Sequence, residues 1–139
     1  MTDMAVLTPE GIVGKIIAVF PYTSQVLLIT DTSSGAGCVM ERTRVQGVLK
    51  GDGRGLCQLQ YVMNQDSVQD GDRVITSGLD QIYPKGLLVG TVISVGEGNI
   101  YQTIVVRPTA ALDRLEEVLI AGKLAPVEQQ VLIRPPGRK

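Results

Sequence analysis

The chain has 139 residues, 44% of them hydrophobic and 19% charged, with a formal net charge of −1. That places it among globular domains, long enough for a real core and without a bulk electrostatic pull toward nucleic acid or anionic lipid. Histidine is absent, which removes the commonest general base, the usual metal ligand and the Ser-His-Asp arrangement together.

Short β-branched runs punctuated by glycine and proline dominate from the start. Residues Ile12 to Phe20 read as a strand, bent or bulged at Gly14. Pro21-Tyr22-Thr23-Ser24 is a turn, and Gln25 to Thr30 supplies the mate for a hairpin. Asp31 to Gly37 is a polar loop. Strands follow at Gly37 to Glu41 and Arg44 to Leu49. A glycine-rich connection, Lys50 to Gly55, leads into Leu56 to Val62, where apolar and polar residues alternate. Met63 to Gly71 has no periodicity and reads as a loop. Asp72 to Ser77, Gly86 to Val95 and Tyr101 to Arg107 are β-rich.

Leu112, Leu115, Val118 and Leu119 recur at helical spacing, which predicts a short helical turn near residues 110–116 before a last strand, Glu117 to Ile120. Residues 121–139, with Pro126, Pro135 and Pro136, read as a mostly disordered tail in which Gln130 to Ile133 could dock. No apolar stretch approaches the roughly 20 residues of a membrane helix. The N-terminus lacks the basic-then-apolar order of a signal peptide.

Two segments echo each other. Ala5 to Thr8 precedes Gly11-Ile12-Val13-Gly14-Lys15-Ile16-Ile17, and Arg73 to Thr76 precedes Gly86-Leu87-Leu88-Val89-Gly90-Thr91-Val92-Ile93. The second half carries one extra residue, Val89 or a neighbour. The shared glycine placement predicts two related small barrels. Because the echo begins at the start of the chain, the first barrel is expected to be short of strands, as in a fragment.

Catalytic and metal chemistry finds no foothold. Cys38 and Cys57 are too few and too far apart for a zinc motif. They read either as buried apolar thiols or as a disulfide between neighbouring strands. Glu116 and Glu117 are adjacent, so their carboxylates diverge on a strand and lie apart on a helix. Gly51-Asp52-Gly53-Arg54-Gly55 lacks the Gly-Lys-Ser/Thr ending of a phosphate loop and enters a strand rather than a helix. Arg42, Arg44, Lys50 and Arg54 form a basic cluster, but one phenylalanine and four tyrosines make a poor stacking platform for nucleic acid. No catalytic residue, cofactor, metal, nucleic acid or small-molecule substrate is expected.

The stretch from Gly71 to Val92 carries a G-D-x-V-x-T-S-G run followed by Ile82-Tyr83-Pro84-Lys85-Gly86-Leu87-Leu88-Val89-Gly90-Thr91-Val92. It closely resembles the signature of the rod-shape-determining MreC family, in its C-terminal β-domain region. Three further passages agree, in the family's order. They are Leu7-Thr8-Pro9-Glu10-Gly11-Ile12-Val13-Gly14, then Glu41-Arg42-Thr43 with Gly47-Val48-Leu49, and Val106-Arg107-Pro108 leading to Leu115-Glu116-Glu117-Val118. The signature residues are Gly11, Gly14, Ser77, Gly78, Lys85, Gly86, Gly90, Arg107 and Pro108.

The resemblance implies an all-β fold of two packed six-stranded barrels, the first incomplete. Residues 1–36 would be the C-terminal strands of the first barrel and 37–120 the second, whose last strand could return to the first. It implies a non-enzymatic scaffold of cell-wall elongation on the extracytoplasmic face of the cytoplasmic membrane. The implied partners are the elongation-specific penicillin-binding transpeptidase, MreD, the MreB-linked complex and further copies of itself. Leu79, Ile82, Tyr83 and Pro84 are the candidate partner-binding residues; the same loop could instead cap the open end of its barrel. The rival reading is a β-barrel adaptor of an envelope transport complex, which should show a long hairpin or lipoyl-like half-motifs; neither is visible.

Overall fold

A computed structural model describes residues 4–115, 117–120 and 123–126. Eleven strands account for the regular structure among these: β1 (Ala5–Thr8), β2 (Gly11–Val19), β3 (Ser24–Leu28), β4 (Gly35–Met40), β5 (Gln46–Gly51), β6 (Cys57–Gln60), β7 (Arg73–Thr76), β8 (Leu88–Gly96), β9 (Thr103–Pro108), β10 (Glu117–Ile120) and β11 (Lys123–Pro126). The all-β expectation holds. Strands β4-β5-β6-β9-β8-β7 close into a six-stranded barrel, and β11-β10-β1-β2-β3 form a five-stranded sheet.

Alternation explains the barrel interior. On β6, Cys57 and Leu59 point inward while Gln58 faces out. Met40, Leu49, Leu59, Val62, Val74, Val89, Val92, Ile104 and Val106 are fully enclosed beside them. Each such aliphatic side chain contributes about 1.5–3 kcal/mol through burial. Ile12 and Ile29 of the first segment join this same core. The sheet has a smaller core of its own around Val6, Val13, Ile16, Val26, Ala110 and Val118.

The echo in the sequence becomes an identity of register. In the β1–β2 pair, Val6 opposes Gly14 and Leu7 opposes Ile12, so Val13 bulges. In the β7–β8 pair, Val74 opposes Gly90 and Ile75 opposes Leu88, so Val89 bulges. The next ladders match as well. Ile16 opposes Val26 and Ala18 opposes Gln25, skipping Ile17, while Val92 opposes Val106 and Ser94 opposes Val105, skipping Ile93. Two bulges at equivalent places make β1-β2-β3 and β7-β8-β9 copies of one three-stranded unit, since bulges are retained features of a fold. Leu88 is therefore the counterpart of Ile12 and Leu87 that of Gly11, which places the extra residue of the second half at Gly86 rather than at Val89.

Gly14 and Gly90 sit at the same point of the repeat for the same reason. A Cβ on Gly14 would lie 1.9 Å from the Leu27 carbonyl oxygen, and one on Gly90 would lie 2.4 Å from that of Arg107. Close approach of the next strand, not a bend, demands glycine there. The bulges flank Gly14, at Val13 and Ile17, instead of falling on it.

Two other expectations change in detail. The helical spacing of Leu112 and Leu115 yields a single turn closed by Arg114 N–H donating to Ala111 O (3.0 Å), with no helix among the described residues. One turn leaves too few hydrogen bonds to offset helix nucleation. Within the span read as a disordered tail, Lys123–Pro126 pairs along β10 as β11, with Glu117 opposite Pro126. A four-residue strand ending in proline carries almost no β signal of its own. Residues 127–139, including Gln130 to Ile133, lie outside the described residues.

Candidate functional site

The connection from β7 to β8 carries the family signature and closes one end of the barrel. Thr76, wholly buried at the end of β7, organises it. Its hydroxyl donates to Pro84 O and accepts from Leu87 N–H (2.8 Å), while its backbone receives Gly86 N–H and donates to Leu87 O, each at 2.8 Å. One side chain thus ties both ends of the loop together. At Gly78 the backbone turns left-handed (φ +77°), and a Cβ would lie 2.9 Å from Lys85 Cβ, so the loop can narrow there only on glycine. Gly86 is left-handed too, at φ +87°.

Asp80 is the second fixed point. Its Oδ2 accepts the Gly37 N–H of β4 at 2.8 Å, and its Oδ1 accepts Ile82 N–H at 3.1 Å and Tyr83 N–H at 3.4 Å. Ser77 N–H donates to Gly37 O (3.0 Å), so the loop continues the β4–β7 ladder through a carboxylate. Reasoning from sequence alone missed both Asp80 and Thr76 as organisers. The available signal was the Ser77-Gly78-Leu79-Asp80 run, in which short polar side chains commonly bond nearby backbone amides.

This geometry separates the four candidate partner-binding residues. Tyr83 is 2% exposed and lies in the barrel core, and Ile82 packs half-buried against the same core. Tyr83 is thus turned inward among the core side chains, next to the turn that the Asp80 carboxylate holds. Leu79, at 68% exposed, and Pro84 remain on the surface.

Leu79 stands on the rim of a groove of about 480 Å³ across the outer face of β4 and β5. Gly37, Val48 and Tyr61 line it as well. Beyond Tyr61 the apolar surface continues through Tyr101, whose ring meets Tyr61 edge-on at 5.7 Å, to exposed Met63 and Ile100. The buried Gln102 amide holds the loop beneath by donating to Met63 O (2.8 Å) and Asp66 O (2.7 Å).

The other signature residues lie away from this loop. Gly11 lets the sheet meet the barrel, because a Cβ there would strike Thr109 Oγ1 at 2.5 Å and Leu88 O at 2.9 Å. Pro108 pairs with Gly90, and the neighbouring Arg107 is exposed. Asp72 of the signature forms a two-point ion pair with Arg42, Nε to Oδ1 and Nη2 to Oδ2, both 2.9 Å. Its side chain is 7% exposed and also accepts Gln69 N–H at 2.9 Å. The Arg42 hydrogen bond, the largest influence, holds the Asp72 carboxyl below its ordinary range against the penalty of burial, with the Gln69 N–H and the Arg42 charge adding smaller pulls in the same direction. Arg42 is thereby committed within the fold, which removes it from the basic cluster noted in the sequence.

Cys38 and Cys57 are both buried and free. They sit on β4 and β6 with β5 between them. Two strand spacings put the backbones about 9–10 Å apart, beyond the reach of a disulfide. Burial, the largest cause for each, pushes both thiols up to about 12, so they are unreactive packing groups. Among the described residues no group of three or more Cys, Asp or Glu is placed to hold a metal ion. Nor is any described helix long and apolar enough to cross a membrane.

A closed barrel, a sheet built from the same repeated unit and a stapled loop beside an apolar groove together define a duplicated β-barrel module. The family described as "Rod shape-determining protein MreC, barrel core" matches residues 1–122, and the chain belongs to that family. The cell shape-determining protein MreC of Caulobacter vibrioides is 34% identical over 114 residues, covering 82% of this chain and 33% of that protein. The Escherichia coli protein of the same description is 34% identical over 121 residues, with 83% and 32% covered. The chain thus spans about a third of the length of these curated relatives. A solved MreC structure superposes with a TM-score of 0.84 at 31% identity, covering 86% of this chain and 70% of that one. A structure described as a complex between a penicillin-binding protein and MreC from Helicobacter pylori shares the fold, with a TM-score of 0.67 at 18% identity, covering 78% and 68%. The curated relatives are described as cell shape-determining proteins, which favours that role over a transport adaptor.

Proposed function

We propose that this chain is the docking region of a non-enzymatic scaffold for cell-wall elongation, acting on the extracytoplasmic side of the cytoplasmic membrane. Its central contact is a penicillin-binding transpeptidase. The observation that carries this reading is Leu79: a large apolar side chain held out at the rim of an apolar groove by a loop that Thr76 and Asp80 immobilise. Ordering is costly for a protein, and a rigid loop that exposes a leucine fits a partner contact better than a solvated turn. The Helicobacter pylori protein, which shares this fold, forms a complex with a penicillin-binding protein. MreD, the MreB-linked complex and further copies of the chain complete the partners of the whole protein in this reading.

Photo-crosslinking tests the contact. A photoreactive residue placed at Leu79 or Val48 in the producing organism should capture the elongation transpeptidase, while one at Glu10, in the exposed turn between β1 and β2, should not. Equal capture from all three positions, or from none, refutes the assignment.

A further inference from the structure

The signature loop closes one end of the barrel, and the sheet packs at that end, where Gly11 meets Leu88 and Thr109. The strand register gathers three other connections at the far end. They are the turn 41–45 between β4 and β5, the segment 61–72 between β6 and β7, and the hairpin 97–102 between β8 and β9. The hydroxyl of Thr43 donates to Ser67 O (3.3 Å) and so joins the first of these to the second.

Four of the eight exposed large hydrophobics among the described residues, Tyr61, Met63, Ile100 and Tyr101, stand together there. Tyr61 holds a left-handed backbone (φ 70°), a conformation that bulky residues adopt at a cost and that clusters at contact sites. The surface beneath is rigid. Met63 pairs with Tyr101 in a β-bridge, and Asn64 N–H donates to Ile100 O (2.9 Å). The Asn64 amide donates to Gly98 O (2.8 Å) and accepts Gly98 N–H (3.2 Å), which fixes the hairpin tip. A grouped, immobilised apolar patch of this kind marks an interaction surface.

Charge decides what covers it. Residues 60–72 and 92–106 carry four carboxylates, Asp66, Asp70, Asp72 and Glu97, and not one lysine or arginine. Arg42 neutralises Asp72, and Arg44 is the one other cation of the adjoining turn, so the barrel end is net negative. Asp66 sits beside Met63, whose N–H its carboxylate accepts (3.2 Å), and Glu97 precedes the Gly98 that Asn64 holds. An acid rim repels anionic lipid and nucleic acid, and it attracts cationic side chains, for which the tyrosine faces are a second attraction.

We infer that this barrel end docks a basic segment of a partner protein, one in which arginine or lysine alternates with apolar side chains. The cations meet Asp66, Glu97 and the Tyr61 and Tyr101 rings, and the apolar groups cover Met63 and Ile100. This surface goes beyond the transpeptidase contact at Leu79 and does not depend on it.

Titrating the 139-residue chain with acetylated hexapeptides, followed by amide chemical shifts, tests the assignment. The peptides alternate leucine with arginine, with glutamine or with glutamate. The arginine peptide should give saturable shifts centred on Tyr61, Met63, Ile100 and Tyr101, and its affinity should fall with added salt. Removing both rim charges by Asp66→Asn and Glu97→Gln should weaken it about fivefold, with unfolding unchanged. Tyr101→Leu keeps the apolar area without the ring and should weaken it about threefold. If the Asp66 substitution disturbs the Met63 loop, Glu97→Gln alone decides, with about a twofold loss. Absence of saturable binding by the arginine peptide overturns the inference. So does equal affinity for the glutamine peptide, or an affinity indifferent to the rim substitutions. Leu79→Ala should bind the arginine peptide as the parent does, and a loss there would move the contact to the groove and overturn the assignment to this end.

Discussion

Replacing Thr76 by valine keeps the shape of a wholly buried side chain and deletes only its hydroxyl. That hydroxyl joins Pro84 O and Leu87 N–H, so the substitution leaves two loop groups without their partner. Each lost hydrogen bond costs about 1 kcal/mol, and the exposed side of Pro84 lets water recover part of the loss. The expected destabilisation is about 2 kcal/mol. Thr76→Ser retains both bonds and loses one buried methyl, for about 0.8 kcal/mol. Denaturant unfolding of the three proteins measures the difference directly as shifts in midpoint at constant slope. Amide exchange should quicken at Gly86, whose N–H bonds to Thr76 O, in the valine variant only. A valine variant within about 0.5 kcal/mol of the parent, or a serine variant as unstable as the valine one, refutes the claim that this hydroxyl organises the loop.

Other consequences are equally direct. Gly90→Ala brings a methyl to 2.4 Å from Arg107 O, and Gly14→Ala brings one to 1.9 Å from Leu27 O. Both should lower stability by at least about 2 kcal/mol in thermal or denaturant unfolding, because backbone rather than a movable side chain stands in the way. Asp72 has a depressed carboxyl, so its ion pair with Arg42 stabilises the fold above the ordinary carboxylate range. That stabilisation is lost as pH falls from about 4 through the folded value. Asp72→Asn should remove this acid dependence and cost about 1 kcal/mol at neutral pH, since Arg42 remains partly exposed. Cys38 and Cys57 should both resist a thiol reagent at pH 7 in the native protein, react once it is unfolded, and never yield an intramolecular disulfide in the folded state.

Much of this fold could be read from local pattern. The strands around Gly11 to Val19 and Leu88 to Gly96 announced themselves through β-branched runs, and the repeated glycines showed that they were related. Register was not legible, because bulges at Val13, Ile17, Val89 and Ile93 depend on which strand lies alongside. For the same reason Gly14 looked like a bend, although the approach of Leu27 is what demands it. Leu79, Ile82, Tyr83 and Pro84 stand out in the sequence as apolar or rigid residues of the loop, without a sign of which way each points. Only the turn held by Asp80 decides that Tyr83 points in and Leu79 points out. Non-local partners such as Gly37 for Asp80, 43 residues away, leave no trace in composition or spacing.

The central claim, that the apolar rim at Leu79 is a docking surface for a penicillin-binding transpeptidase, is tested most directly by calorimetric titration. The extracytoplasmic domain of the cognate transpeptidase is titrated into this chain and into its Leu79→Asp variant. The predicted result is saturable binding to the parent chain and at least about tenfold weaker binding to the variant, at an unchanged melting temperature. Equal affinity for the two folded proteins would contradict it.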